Sequence, residues 1–214
     1  MVLPAINPVA RRVRSISGRV IDLFGHPAGR AARPMATVLN FFNRRSGKHA
    51  ASALGVRPGH QVLEVGFGGG AAIMSTLQAL AGEGQMIAVD LSLDMVTLAA
   101  TRFPRNLLEL VCADVTALPF ENGSFDRAYA LHSHMYWPSL LDGASEMHRV
   151  LAPGGRLLLG MDTVAGIPLL QRCGKGSRPA APAEVAGLLA EAGFVDVTCQ
   201  SLVRGVVGVA GVRR

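Results

Sequence analysis

Cysteine, aromatic side chains and long apolar runs are all scarce in this chain of 214 residues, and each shortage removes a class of protein. Three cysteines, Cys112, Cys173 and Cys199, form an odd number at wide spacing with no Cys-x-x-Cys, so they frame neither a disulfide scaffold nor a zinc site. A cytoplasmic protein is therefore expected. No apolar run reaches the roughly 18 to 20 residues that a membrane-spanning helix needs, because Val203 to Val212 is interrupted by Arg204 and by glycines. Aromatic residues make up 5% of the chain and are not interleaved with basic ones, which argues against a surface that stacks nucleic-acid bases. Acids are nearly missing from residues 1 to 50, where Asp22 stands against nine lysines and arginines, whereas residues 51 to 214 hold fourteen acids against twelve basic residues. The net charge of +6 is thus an N-terminal property.

What the chain does have is apolar mass, with hydrophobic residues at 50% and charged ones at 17%, enough to bury a core and too apolar for disorder. The length predicts one domain with a short appendage. Val9, Val13, Ile16, Val20 and Phe24 recur every three or four positions opposite Arg11, Arg12, Ser15 and Arg19, a helical stripe with a basic face. We read residues 1–50 as a basic helical lid belonging to the mature fold. Its charges follow the short apolar stretch instead of preceding it, which speaks against a secretory signal. Three uses of that face are open: plain solvation, docking of an acidic substrate or nucleic acid, and peripheral contact with a membrane surface.

Residues 51–214 alternate short apolar runs with helical stretches. Gln61 to Val65, Gln85 to Asp90, Leu107 to Cys112, Phe125 to Leu131, Arg156 to Met161 and Phe194 to Gln200 read as strands. Gly70 to Ala81, Leu93 to Phe103, Ser139 to Val150 and Pro182 to Ala192 read as helices. Such alternation predicts a doubly wound α/β fold with a mostly parallel sheet. The final run, Leu202 to Val212, follows too closely for a crossover and should return antiparallel as a seventh strand.

Val62 to Gly70, VLEVGFGGG, is an apolar strand entering a glycine turn, the kind that admits a ligand to the backbone and aims N–H groups at it. Gly66-x-Gly68-x-x-Ala71 also satisfies the dinucleotide fingerprint, with Asp90 at the next strand end to hold a ribose, so an NAD-type oxidoreductase is the competing reading. Glu64, Asp90 and Asp114 place a carboxylate near the end of each of the first three strands, expected to line one crevice. His132-Ser133-His134-Met135-Tyr136-Trp137 follows the fourth strand and contains the only Trp and one of two Tyr. No His-x-x-x-His pair or carboxylate cluster argues for a metal, since Asp162 stands alone after the fifth strand.

The motifs VLEVGFGGG, AVDLS, ADVTALPFENGSFD and RVLAPGGRLLLG occur in an order that resembles the class I S-adenosylmethionine-dependent methyltransferases. The particular look is that of the small-molecule branch containing the ubiquinone/menaquinone biosynthesis enzymes, a methyltransferase type 11-like domain. The resemblance spans roughly residues 40 to 212. It implies a Rossmann-like seven-stranded sheet whose last strand is antiparallel, S-adenosylmethionine as cofactor and a small-molecule methyl acceptor. It further implies Gly66, Gly68 and Gly70 beneath the methionine part, with Glu64 supporting that loop. Asp90, with Leu91 beside it, would hold the ribose, Asp114 and Val115 the adenine, and Leu131 with His132 the methionine side. The residues themselves add His26, His134, Tyr136 and Trp137 as candidate acceptor contacts, and His132 and His134 as candidate bases where the acceptor must lose a proton.

Overall fold

The computed structural model describes residue 29 and residues 32–104, 106–162 and 180–214. The stripe from Val9 to Phe24, His26 and the basic stretch before Pro182 lie outside the described residues, apart from its last positions.

Seven strands form one sheet in the order β3-β2-β1-β4-β5-β7-β6. They are β1 (Gln61–Val65), β2 (Gln85–Asp90), β3 (Leu108–Cys112), β4 (Phe125–Leu131), β5 (Leu151–Asp162), β6 (Phe194–Val203) and β7 (Val206–Arg213). β1 through β5 pair parallel, and β7 inserts antiparallel between β5 and β6. The expected hairpin is present, although its turn falls at Arg204-Gly205, three residues later than the Ser201 break between the two apolar runs suggested. Gly205, at φ +84°, supplies a conformation the turn needs and side chains resist.

β5 also begins earlier than expected, at Leu151. Its first five residues precede the stretch that β7 pairs, which starts at Arg156, so Pro153 removes no ladder hydrogen bond on that side.

Helix α1 (Ala32–Leu54) precedes the sheet and runs straight through residue 50, where composition had put the boundary of the lid. α2 (Ile73–Leu80), α3 (Leu93–Ala100), α4 (Leu140–Val150) and α5 (Pro182–Glu191) follow β1, β2, β4 and β5 in turn. Ser92 and Ser139 cap α3 and α4 by accepting the N–H groups of Met95 and Asp142, while Pro182 opens α5 where no N–H is required. α2 starts three residues later than expected because the glycine turn holds residues up to Ala72.

Two apolar layers result. Leu63, Val65, Ala128, Ala130 and Leu159 meet α4 and α5 on one face; Val62, Met86, Ala88, Tyr129 and Leu158 meet α1, α2 and α3 on the other. Alternation along each strand divides the faces. β1 lies between β2 and β4, where the chain reverses its direction of winding across the sheet, and a crevice opens beyond the carboxyl ends of the strands at that switch point.

Candidate functional site: a crevice at the sheet's switch point

The crevice encloses about 810 Å3, its open mouth included, which suits a small-molecule ligand or two. One wall is made by backbone. Gly66 at φ +72° donates its N–H to the Val89 carbonyl at 2.7 Å, and a Cβ here would meet the Ser133 side chain at 2.4 Å. Gly68 donates to Asp90 Oδ2 at 2.8 Å, and Ser92 donates its N–H to Asp90 Oδ1 at 2.9 Å. Each carboxylate oxygen of Asp90 thus accepts one backbone N–H, which fixes the two oxygens side by side in the crevice wall. A ribose diol needs such a doubled acceptor.

Asp114 lines the same wall and caps a short turn, its Oδ1 accepting from both the N–H and the hydroxyl of Thr116 at 2.9 Å. Capping and lining therefore coexist in one side chain. Leu91 and Val115 supply apolar surface beside the two carboxylates.

Glu64 sits elsewhere. It faces the α2 side of the sheet like Val62, is buried, and accepts the Tyr129 hydroxyl at 3.0 Å, with Thr76 Oγ1 2.8 Å from the same hydroxyl. The expected row of three carboxylates along the crevice is thus two, because strand alternation turns Glu64 into the core. Burial pushes its pKa up to about 8 against the opposing Tyr129 hydrogen bond, and the Asp90 charge adds to the rise. Gly70 likewise packs away from the crevice wall, against the Phe103 ring, which a Cβ would meet at 2.6 Å. Both residues shape the turn from behind.

The opposite wall is made of side chains. Leu131, Tyr136 and Trp137 line it, as does His132, at φ +55°, a backbone conformation that costs roughly 1 to 3 kcal/mol outside glycine and that concentrates at functional sites. His132 Nδ1 lies 3.0 Å from Asp162 Oδ2, and its Nε2 lies 3.0 Å from Ser46 Oγ. Asp162 does not stand alone, as the sequence suggested, because β5 runs beside β4 and ends next to His132.

His134 is placed differently from the sequence expectation of a near-neutral base at the acceptor. It is buried beneath Trp137, rings 6.4 Å apart edge to face, and neither ring nitrogen has a hydrogen-bond partner among the described residues. Burial lowers its pKa to about 4, the neighbouring His132 lowers it further and Asp162 partly offsets both. The short turn from His134 to Tyr136 points it inward, and it is not part of the crevice wall.

Sequence reasoning expected a helical lid before residue 51 but did not name the α1 residues that reach the crevice. Leu39 and Asn43 close the crevice from above. The helix comes that near because of small residues: a Cβ at Gly69 would meet the Ala36 carbonyl at 2.4 Å, and one at Gly47 would meet the Ala71 carbonyl at 2.7 Å. The run of Ala and Ser along α1 was the available signal.

Residues 63–159 match the family described as a methyltransferase domain. Among curated proteins, the chain is similar to the demethylmenaquinone methyltransferase of Beutenbergia cavernae, 38% identical over 108 residues, half of this chain and 42% of that protein. It is also similar to the erythromycin 3''-O-methyltransferase of Saccharopolyspora erythraea, 32% identical over 191 residues, 79% of this chain and 62% of that protein. The chain therefore spans less than two thirds of either relative. Among solved structures, a SAM-dependent methyltransferase from Aquifex aeolicus superposes with a TM-score of 0.71 at 18% identity, covering 85% of this chain and 98% of that one. No helix among the described residues is long and apolar enough to cross a membrane. The dinucleotide reading of the glycine turn gives way to this match: residues 63–159 are similar to the methyltransferase domain, and the seven-stranded fold is that of the S-adenosylmethionine-dependent methyltransferases.

Proposed function

We propose that this protein transfers a methyl group to a small-molecule acceptor bound in the crevice, by in-line displacement. The observation that carries the reading is Asp90, held in the crevice wall at the end of β2 by one backbone N–H on each carboxylate oxygen. Asp90 would hold both ribose hydroxyls; Gly66 and Gly68 would pass beneath the methionine part; Asp114 and Val115 would flank the adenine; Leu131 and His132 would bound the methionine side. When bound, S-adenosylmethionine supplies a methyl already activated on a sulfonium. The protein's share is alignment and exclusion of water, worth roughly 7 to 11 kcal/mol of effective concentration.

Tyr136 and Trp137 would bound the acceptor from the β4 side, and Leu39 and Asn43 from α1. These walls are mainly apolar, which favours a lipophilic acceptor carrying one reacting polar group. The names of the two curated relatives, one acting on demethylmenaquinone and one on erythromycin, agree with that class.

Calorimetric titration with S-adenosylmethionine, S-adenosylhomocysteine and NAD in parallel tests the reading, repeated on Asp90→Ala. Binding of the first two that collapses in the variant is expected. Binding of NAD alone, or of none, overturns it.

A further inference from the structure

The two helix layers that cover the sheet differ in charge and in what they expose. α1, α2 and α3 carry four exposed lysines and arginines, Arg33, Arg44, Arg45 and Lys48, against a single acid, Asp94, whose carboxylate accepts the Gly29 N–H at 2.6 Å. α4 and α5 carry Arg149 against four acids, Asp142, Glu146, Glu184 and Glu191. The large apolar side chains exposed among the described residues, Val38, Phe41, Met74 and Leu93, all belong to the basic layer. On α1 the two properties share one stripe, because Val38, Phe41, Arg45 and Lys48 follow one another at steps of three and four. Phe41 is 67% exposed within it, and the Arg44 guanidinium lies 5.8 Å from its ring centroid.

We propose that this outer face of α1 docks the protein on an anionic lipid surface, with the cations against the headgroups and Phe41 and Val38 entering the interface between them. Other occupants fit less well. Residues 1–31 hold five arginines against Asp22, and residues 163–179 hold three basic residues and no acid, so neither stretch complements the face in charge. A second copy would have to offer its acidic α4–α5 layer, where no large apolar side chain is exposed to meet Phe41. That contact would also run head to tail and not close into a symmetric pair. A nucleic acid would stack its bases on an aromatic face, and Arg44 already covers one side of the Phe41 ring. A lipid interface needs neither an open ring face nor a fitted pocket, only cations around an apolar side chain on a helix.

Each cation near an anionic surface strengthens binding about fivefold, so four of them outweigh the shallow insertion of one ring. Uncharged vesicles should therefore hold the protein weakly. α1 also lines the crevice through Leu39 and Asn43, so docking brings the crevice within one helix diameter, about 10 Å, of the lipid. A lipophilic acceptor would then reach it without crossing bulk water. The docking itself does not depend on methyl transfer, and its test reads binding alone.

The test is sedimentation of the full chain with sucrose-loaded vesicles, made of mixed phosphatidylglycerol and phosphatidylcholine or of phosphatidylcholine alone. Binding to the anionic vesicles is expected at about 0.1 M salt and should be lost at about 1 M, where the Debye length falls from about 10 to about 3 Å. Arg44→Gln, Arg45→Gln and Lys48→Gln combined should weaken it about 100-fold and Phe41→Ser about tenfold, with Tm little changed because these side chains are exposed. Phe41→Trp should keep the affinity and give fluorescence that brominated acyl chains quench, whereas Trp137, buried in the wild type, should escape quenching. Equal binding to both vesicle types, none included, binding indifferent to the triple variant or to Phe41→Ser, or a Phe41→Trp signal blind to the brominated chains would each overturn the docking. An RNA oligomer held as tightly as the anionic vesicles, or self-association in place of vesicle binding, overturns it in favour of that partner.

Discussion

The two walls of the crevice are built from different materials. The β1–β2 wall is backbone: glycine N–H groups and a carboxylate that holds them, joined over short stretches such as Gly68 to Asp90. The β4–β5 wall is side chain: a tryptophan and a histidine in a costly backbone conformation, the latter hydrogen-bonded to residues 86 and 30 positions away in sequence. A backbone wall recognises what a whole family shares, because any sequence with glycines at the turn reproduces it. A side-chain wall can be rewritten residue by residue.

The division predicts that the walls fail in different ways. Trp137→Ala should cause the largest loss of stability, about 3 to 5 kcal/mol, because the ring is buried against α4 and leaves a cavity. The Trp137 ring fills the space over Gly143, where a Cβ would meet it at 2.5 Å. Thermal unfolding of this variant, set beside its affinity for S-adenosylhomocysteine, checks the point: stability should fall far more than affinity. Asp90→Ala should do the reverse, weakening cofactor binding about 100-fold, or about 2.7 kcal/mol, through the loss of charge-assisted acceptors. Equal damage to both quantities in both variants would break the distinction between the walls.

The sequence made the first wall legible and left the second partly hidden, for a physical reason. The strand–turn–helix around Gly66 and the strand-final Asp90 are local patterns, and a 3.6- or 2-residue period exposes them. All seven strands and the antiparallel return follow from the same local logic. Ser46 could not be found that way, since nothing near it in sequence announces a partner on β4. Asp162 looked solitary for the same reason. His134 and Glu64 were misjudged because their surroundings come from other elements: spacing places a residue near a strand end, but only packing says whether it turns outward.

Asp114 sharpens the comparison from inside the backbone wall, since it both caps a turn and lines the crevice. Asp114→Ala should cost about 1 kcal/mol of stability through the lost cap, a drop of roughly 2 to 4 °C in Tm for a chain of this size. Asp114→Asn keeps a carbonyl acceptor for Thr116 and should recover most of that. If both variants also weaken cofactor binding, the side chain has the second role given to it; if affinity is untouched, Asp114 is a cap alone.

The effect most informative about the floor beneath the glycine turn, and the one that depends on pH, is expected from Glu64→Gln. With a pKa near 8, Glu64 is mostly protonated at pH 7 and already resembles an amide that accepts the Tyr129 hydroxyl. Its unfolded value is about 4.3, so between there and about 8 the folded state holds a proton that the unfolded chain has released. The stability tied to that proton is complete below the unfolded value and is lost as pH rises through 8. Glutamine cannot titrate and escapes this loss. The variant should therefore match the wild type near pH 4, surpass it progressively in Tm from about pH 5 to 8, and hold a constant lead above that. Parallel Tm curves across that range would mean that water or a rearranged Tyr129 stabilises the carboxylate, and that the core beneath the turn is less dry than its packing implies.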